Sequence, residues 1–433
     1  MSEMMQLTLV AGVFLALLMV GMWIPFAISV TAALYIYMAS GFAGFNALGL
    51  VSWGSTYSFT LTAIPLFILM AEIMLASGLS HRVYRGMTHL VRFLPGGLLQ
   101  TNIAGCAMFS AISGSSVATA AAIGSIALPQ LEERGYQDKI STGTIVAGGT
   151  LGILIPPSIA LIIYGTFTDT SISKLFMAGV LPGLLLAGLF MAYVALRCKL
   201  NPALAPKGQA AEDRAPIPWG EVAGDLLPFS VLILFVMGSL YLGFATPTEA
   251  AAVGACMAFV IARIWGTMDG KTFVLALSKT VHISAAILFI VFSAYLFSFA
   301  IGMVGLTDEL ADLLESWNLS TMQLLLVVVL VYTVLGMLMD SIGMMVITIP
   351  VLSPIMMNYG VDPIWFGVLV VVLIELGQIT PPAGLNLFVV KTISRVSLGD
   401  IVRGSLPFCA LFYVLIALLI AVPGLALWIP SHM

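Results

Sequence analysis

Charge is scarce in this chain. Only 8% of its 433 residues are Asp, Glu, Lys or Arg, against about a quarter in an ordinary soluble domain, and that shortage excludes a water-soluble globule. It excludes nucleic-acid binding too, because 16 basic residues against 20 acidic ones leave no cationic surface. Cysteine and histidine are sparser still, at four each. Cys106, Cys198, Cys256 and Cys409 stand far apart with no CxxC pair, and His81, His89, His282 and His432 do not cluster, so neither a disulfide framework nor a metal site of that kind is visible. HExxH, GxSxG and P-loop motifs are missing, and no histidine lies inside a span to act as a base, His282 standing at the start of one. The chain is not expected to be an enzyme. No Lys or Arg precedes the first apolar run, which argues against a cleaved signal peptide and keeps Met1 in the mature protein.

What fills the chain is apolar: 61% hydrophobic residues with 24 Met, 24 Phe and 41 Gly, at a mean hydropathy of +1.11. That composition predicts an all-α polytopic membrane protein. Pro-Pro occurs twice, at Pro156-Pro157 and Pro381-Pro382, each 21 residues after a glycine (Gly135, Gly360) that follows a proline (Pro129, Pro354) by six. The common offset of 225 also pairs Gly152 with Gly377 and Ser116 with Ser341, and an internal duplication explains all of these together.

Runs of about 20 apolar residues mark the spans. In a first repeat over 1–198, helices are expected at about 5–21, 25–42 and 57–79, then a basic connector, a hairpin at about 98–131, a Pro-Pro-broken segment at about 139–167 and a helix at about 173–197. The string Ser113-Gly114-Ser115-Ser116 is too polar for mid-span, so the hairpin reads as re-entrant. A linker at 199–222, with Pro202, Pro206, Pro216 and Pro218, looks solvent-exposed. A second repeat over 223–433 has helices at about 224–243, 247–266 and 281–304, a connector at about 305–320, a hairpin at about 321–357, a broken segment at about 363–392 and a last helix at about 401–428.

Five crossings per repeat invert the second copy and give ten in all. With both termini periplasmic, 15 of the 16 basic residues fall on the cytoplasmic side and only Lys174 outside, as the positive-inside rule requires. The connector before the first hairpin carries Arg82, Arg85 and Arg92, whereas the one before the second carries Asp308, Glu309, Asp312 and Glu315. The hairpins therefore enter from opposite faces.

Non-helical backbone survives in a bilayer only where protein buries it or a cavity wets it. Broken helices in inverted repeats point to a transporter's binding site, since freed carbonyls can hold Na⁺ and half-helix N-termini can face an anion. Ser113, Ser115 and Ser116, with Thr150 and Gly152 near Pro156-Pro157, make one candidate site, with sodium expected at Ser115, Ser116 and Thr150. Asp340, Ser341, Gly377 and Thr380, near Pro381-Pro382, make its mirror, with sodium expected at Asp340, Ser341 and Thr380. A proline pair can also simply kink a helix, and any one serine reads equally well as a packing hydroxyl. Glu375 fits a group that relays protons or orients the second break or, slightly better, a hydrogen-bond acceptor supporting other residues from behind. Thr246-Pro247-Thr248-Glu249 matches a capping box, and Glu72 carries no clear signal.

The stretch FSAISGSSVATAAAIGSIALPQLEERGY at 109–136, GGTLGILIPPS at 148–158, TPTEAAAVGA at 246–255, and DPIWFGVL with ELGQITPPAGLNLFV within 362–389 resemble the DctM-like large membrane subunit of tripartite ATP-independent periplasmic (TRAP) transporters. The resemblance runs nearly end to end. It implies a bacterial inner-membrane permease that imports a small organic anion, a carboxylate or a sialic-acid-like one, by Na⁺ symport without ATP. It further implies an elevator-type ion-transporter fold, a small four-helix membrane subunit and a periplasmic substrate-binding protein. A stand-alone sodium- or proton-coupled carboxylate carrier is the alternative.

Overall fold

A chain with so little polar side chain must satisfy its backbone within each segment once it is in lipid, and helices do that. The computed structural model describes residues 3–205 and 217–433, and every regular element among them is a helix. Pro206, Lys207, Arg214 and Pro216 of the expected linker lie outside the described residues.

The chain opens with α1 (Glu3–Met19), α2 (Ile24–Ser40), the short α3 (Asn46–Thr56) and α4 (Ala63–Ala76). The third expected span is shorter than 57–79 because its polar start is taken up by a 3₁₀ turn at Thr60–Thr62. At Gly78, whose φ of +74° suits a residue without Cβ, the chain turns 74° into α5 (Leu79–Val91). That helix buries Leu79, Val83 and Tyr84, and turns Arg85 outward. A hairpin follows, α6 (Leu98–Ser113) and α7 (Ser116–Glu133), then a broken helix, α8 (Asp138–Leu154) and α9 (Ile159–Phe167), and the long α10 (Ile172–Leu200).

The second half starts with α11 (Trp219–Tyr241), α12 (Pro247–Trp265), α13 (Gly270–Val304) and α14 (Leu306–Ser316). Thr246 and Glu249 form the expected capping box on α12. α13 begins eleven residues before the expected 281, because Asp269 caps it by accepting from the Thr272 amide at 2.7 Å. The order of the first half then recurs: hairpin α15 (Thr321–Gly336) and α16 (Ser341–Asn358), broken helix α17 (Pro363–Ile379) and α18 (Leu385–Ile393), and α19 (Leu398–Ala421). Here the last span stops short of the expected 428, since Pro423 ends it before a single turn, α20 (Gly424–Leu427). α16 runs 341–358 against 116–133 for α7, and α17 runs 363–379 against 138–154 for α8, so the offset of 225 holds to the residue at both ends.

Among the described residues seven helices are long and apolar enough to cross a membrane, or nine if each strongly bent pair counts once. α1, with 17 residues, and the split α17–α18 fall outside that count.

At the centre lie α8 and α17, packed against each other and each buried for fifteen consecutive residues, 140–154 and 365–379. α6, α7, α10, α15 and α19 surround them, while α2, α4, α12 and α13 pack together to one side. Lipid is as apolar as leucine, so these contacts rest on close approach and on side-chain hydrogen bonds. Gly336 meets Gly377 so closely that a Cβ on Gly377 would stand 2.6 Å from the Gly336 Cα. Tyr84 donates to Asn102 Oδ1 and Asn102 Nδ2 to Thr144 Oγ1, both at 2.9 Å, tying α5, α6 and α8 together.

Candidate functional site

The second arms of the two hairpins are capped at equivalent positions, although the turns before them differ. In the first, Gly114 takes the left-handed conformation (φ +60°), and Ser115 caps α7 by accepting from the Ala118 amide at 3.3 Å. In the second, Asp340, which the 225 offset pairs with Ser115, caps α16 by accepting from the Ile342 and Gly343 amides, both at 3.1 Å. Ser158 caps α9 beyond the first break, accepting from the Leu161 amide at 3.4 Å. Both Pro-Pro peptide bonds are cis.

The first hairpin tip rests on the first break. A Cβ on Gly114 would lie 2.9 Å from the Pro157 carbonyl, and one on Gly152 would collide with the carbonyl of Ser115. Ser113 and Thr119 bring their hydroxyls to 2.6 Å and so tighten the turn. Between these elements and α4 and α13 is a cavity of about 100 Å³ that also receives the second hairpin tip. Ser113, Gly114 and Ser115, Ser341 and Ile342, and Ile159 and Ala160 line it, which brings the N-termini of α7, α16 and α9 to one place. Glu72 on α4 faces them, 7% exposed and with Oε2 lacking a hydrogen-bond partner. Among the described residues that line it there is no Lys, Arg or His. Each N-terminus carries about half a positive charge, so the amides the caps leave free can face an anion, while the Asp340 and Glu72 carboxyls beside them suit a cation.

Comparison with known proteins gives the family. A family profile described as "Tripartite ATP-independent periplasmic transporter, DctM component" matches residues 11–425. The chain belongs to the DctM family. It is 36% identical over 376 residues to the C4-dicarboxylate TRAP transporter large permease protein of Pseudomonas aeruginosa, covering 86% of each chain. It is 30% identical to the sialic acid TRAP transporter large permease protein of Vibrio cholerae, covering 96% of this chain and 97% of that one. In fold it is similar to the YdaH transporter of Alcanivorax borkumensis, at a TM-score of 0.69 and 16% identity, over 95% of this chain and 97% of that one. As a DctM-family chain it is a multi-pass permease component of a transporter, not an enzyme.

Within this DctM-family fold the expected site residues separate into three groups. Ser113, Ser115 and Ser341 line the cavity, with Asp340 capping the same tip and with Gly152, Pro156 and Pro157 directly behind. Ser116 and Thr150 turn elsewhere: the Ser116 hydroxyl accepts from Asn386 Nδ2 at 2.7 Å, and Thr150 donates to the Ala147 carbonyl at 2.5 Å. Gly377, Thr380, Pro381 and Pro382 are not among the lining residues; Gly377 packs on α15, Thr380 donates to the Leu376 carbonyl at 2.6 Å, and Pro382 is exposed. Spacing alone missed Glu72, whose helix gives no sign of what it faces. It missed Asn386 as well, although an amide inside the apolar run after Pro382 was a visible signal.

Proposed function

We propose that the chain is the large permease of a sodium-coupled importer of a small organic anion, a carboxylate or a sialic-acid-like one. The observation that carries this reading is the meeting of three helix N-termini at one cavity whose described lining has no basic side chain. The relatives named for C4-dicarboxylates and sialic acid support the substrate class. Sodium would sit at the hairpin tips, on Ser113, Ser115, Asp340 and Ser341 with freed backbone carbonyls. Asp340 supplies charge at the second tip where the first has only hydroxyls. One Na⁺ entering down about 100 mV and a tenfold gradient releases roughly 3.7 kcal/mol. Two would support about 10⁵-fold accumulation of a neutral solute without ATP.

The two halves are read as inverted repeats with both termini periplasmic, in the inner membrane, working as an elevator beside a small four-helix membrane subunit and a periplasmic binding protein. Long-range hydrogen bonds support this topology, because each joins segments assigned to one side. Thr267 bonds Ser77 and Lys139 pairs with Asp400 on the cytoplasmic side, while Thr248 bonds Phe59 and Tyr164 bonds Pro363 on the other. Reconstituted uptake with and without the binding protein tests the reading. Uptake that needs the added binding protein is expected; equal uptake without it would favour the stand-alone carrier.

A further inference from the structure

We propose that Ser116, Glu375 and Asn386 form a buried monovalent-cation site that joins the two halves of the chain, apart from the cavity at the hairpin tips. The proposal rests on the sodium-coupled reading above and adds a site to it.

Asn386 stands in the first turn of α18, wholly buried, and its Nδ2 donates to Ser116 Oγ at 2.7 Å and to the Val146 carbonyl at 3.4 Å. Because Ser116 Oγ accepts that bond, its own proton is left to donate, and the carboxylate beside it is Glu375. Glu375 is 0% exposed, and neither of its oxygens has a hydrogen-bond partner of good geometry. With both Asn386 amide protons on the Nδ2 side, its Oδ1 is left buried and without a partner too. Gln378, one turn beyond Glu375 on α17, also has both amide atoms buried and unpartnered.

A carboxylate removed from water persists only with a compensating charge. The protein supplies none here: the buried polar and charged residues described include no Lys, Arg or His. Ser116 instead links a carboxylate and an amide, and with its own hydroxyl these oxygens are the hard ligand set of an alkali or alkaline-earth ion; a single negative charge matches a monovalent one. Gly149 of α8 permits the close approach, since a Cβ there would stand 3.2 Å from both Asn386 Nδ2 and the Ser116 carbonyl.

The duplication does not account for the cluster. The 225 offset puts Thr150 where the second half has Glu375, and Leu161 where it has Asn386. The second half therefore contributes a carboxylate and an amide to the start of the first hairpin's second arm. An ion held there would tie α7 to α17 and α18.

The test is a sodium titration of thermal unfolding on the chain assembled with its small membrane subunit, choline replacing sodium at constant ionic strength. Wild type should be stabilised by sodium. Glu375→Gln should raise the sodium midpoint at least tenfold, and Asn386→Leu, which removes Oδ1 but no charge, severalfold; if the first variant does not assemble, the second carries the test. Wild type responding while both variants follow its curve would overturn this site alone. No sodium response in wild type would overturn the coupling reading and this site with it. A Glu375→Gln uptake profile that loses its pH dependence at an unchanged sodium midpoint would make the occupant a proton, against the proposal.

Discussion

Asp340 does two separable things on this account, and two substitutions pull them apart. Its carboxylate caps α16 through the Ile342 and Gly343 amides at 3.1 Å, and it carries the only charge at the second hairpin tip. Asparagine caps a helix about as well as aspartate, whereas alanine in place of a good cap costs about 1 kcal/mol. Loss of the negative charge at the α16 N-terminus costs a further 0.5 kcal/mol or so in either variant. Asp340→Asn should therefore lower stability by about 0.5 kcal/mol and Asp340→Ala by about 1.5 kcal/mol. If the carboxylate also attracts sodium, both should need about tenfold more sodium for half-maximal uptake, which corresponds to roughly 1.4 kcal/mol. Thermal unfolding reads the first effect and sodium-dependent uptake in proteoliposomes the second. A wild-type sodium curve in Asp340→Asn, with stability lost only in Asp340→Ala, would leave Asp340 as a cap and refute its part in ion binding.

The Arg85–Asp225 pair, bidentate at 2.6 and 2.7 Å, should respond unequally to removal of its two partners. Arg85→Ala strands an Asp225 side chain that is 3% exposed and should cost about 3 kcal/mol. Asp225→Ala leaves an Arg85 that is 59% exposed and should cost about 1 kcal/mol; unfolding temperatures in the opposite order would contradict this. Gly152→Ala drives a methyl into the Ser115 carbonyl, an overpacking cost of about 1–3 kcal/mol at a contact that cannot turn aside. It should abolish uptake, while Gly188→Ala, with nothing within 4 Å, should keep it. Replacing Pro156 and Pro157 by alanine should damage uptake more than replacing Pro381 and Pro382, because the first break is buried behind the cavity and the second is partly exposed; equal losses would refute that ranking.

Much of the architecture was legible because the same punctuation recurs 225 residues on. Two Pro-Pro pairs and the Ser113–Ser116 string located both hairpins and both breaks to within a few residues, and Pro247 with Glu249 announced the start of α12. Ends set by local competition were harder. The polar residues before Ala63 shorten α4, and the Asp269 cap lengthens α13, each through a hydrogen-bonding choice that hydropathy does not record. The site was legible only by position along the chain. Ser115 and Ser116 are neighbours in sequence, yet one hydroxyl caps α7 at the cavity and the other is claimed by Asn386, 270 residues away. Glu72 and Asn386 matter through what other helices bring to them, and no spacing within their own helices encodes that.

Uptake driven by sodium alone tests the account most directly. Proteoliposomes holding the assembled transporter, with binding protein and a labelled C4-dicarboxylate or sialic acid outside, would be given an inward sodium gradient and no ATP. Sodium coupling predicts accumulation above the outside concentration that collapses when a sodium ionophore dissipates the gradient. Accumulation that persists without sodium, or that never exceeds equilibration, would contradict it.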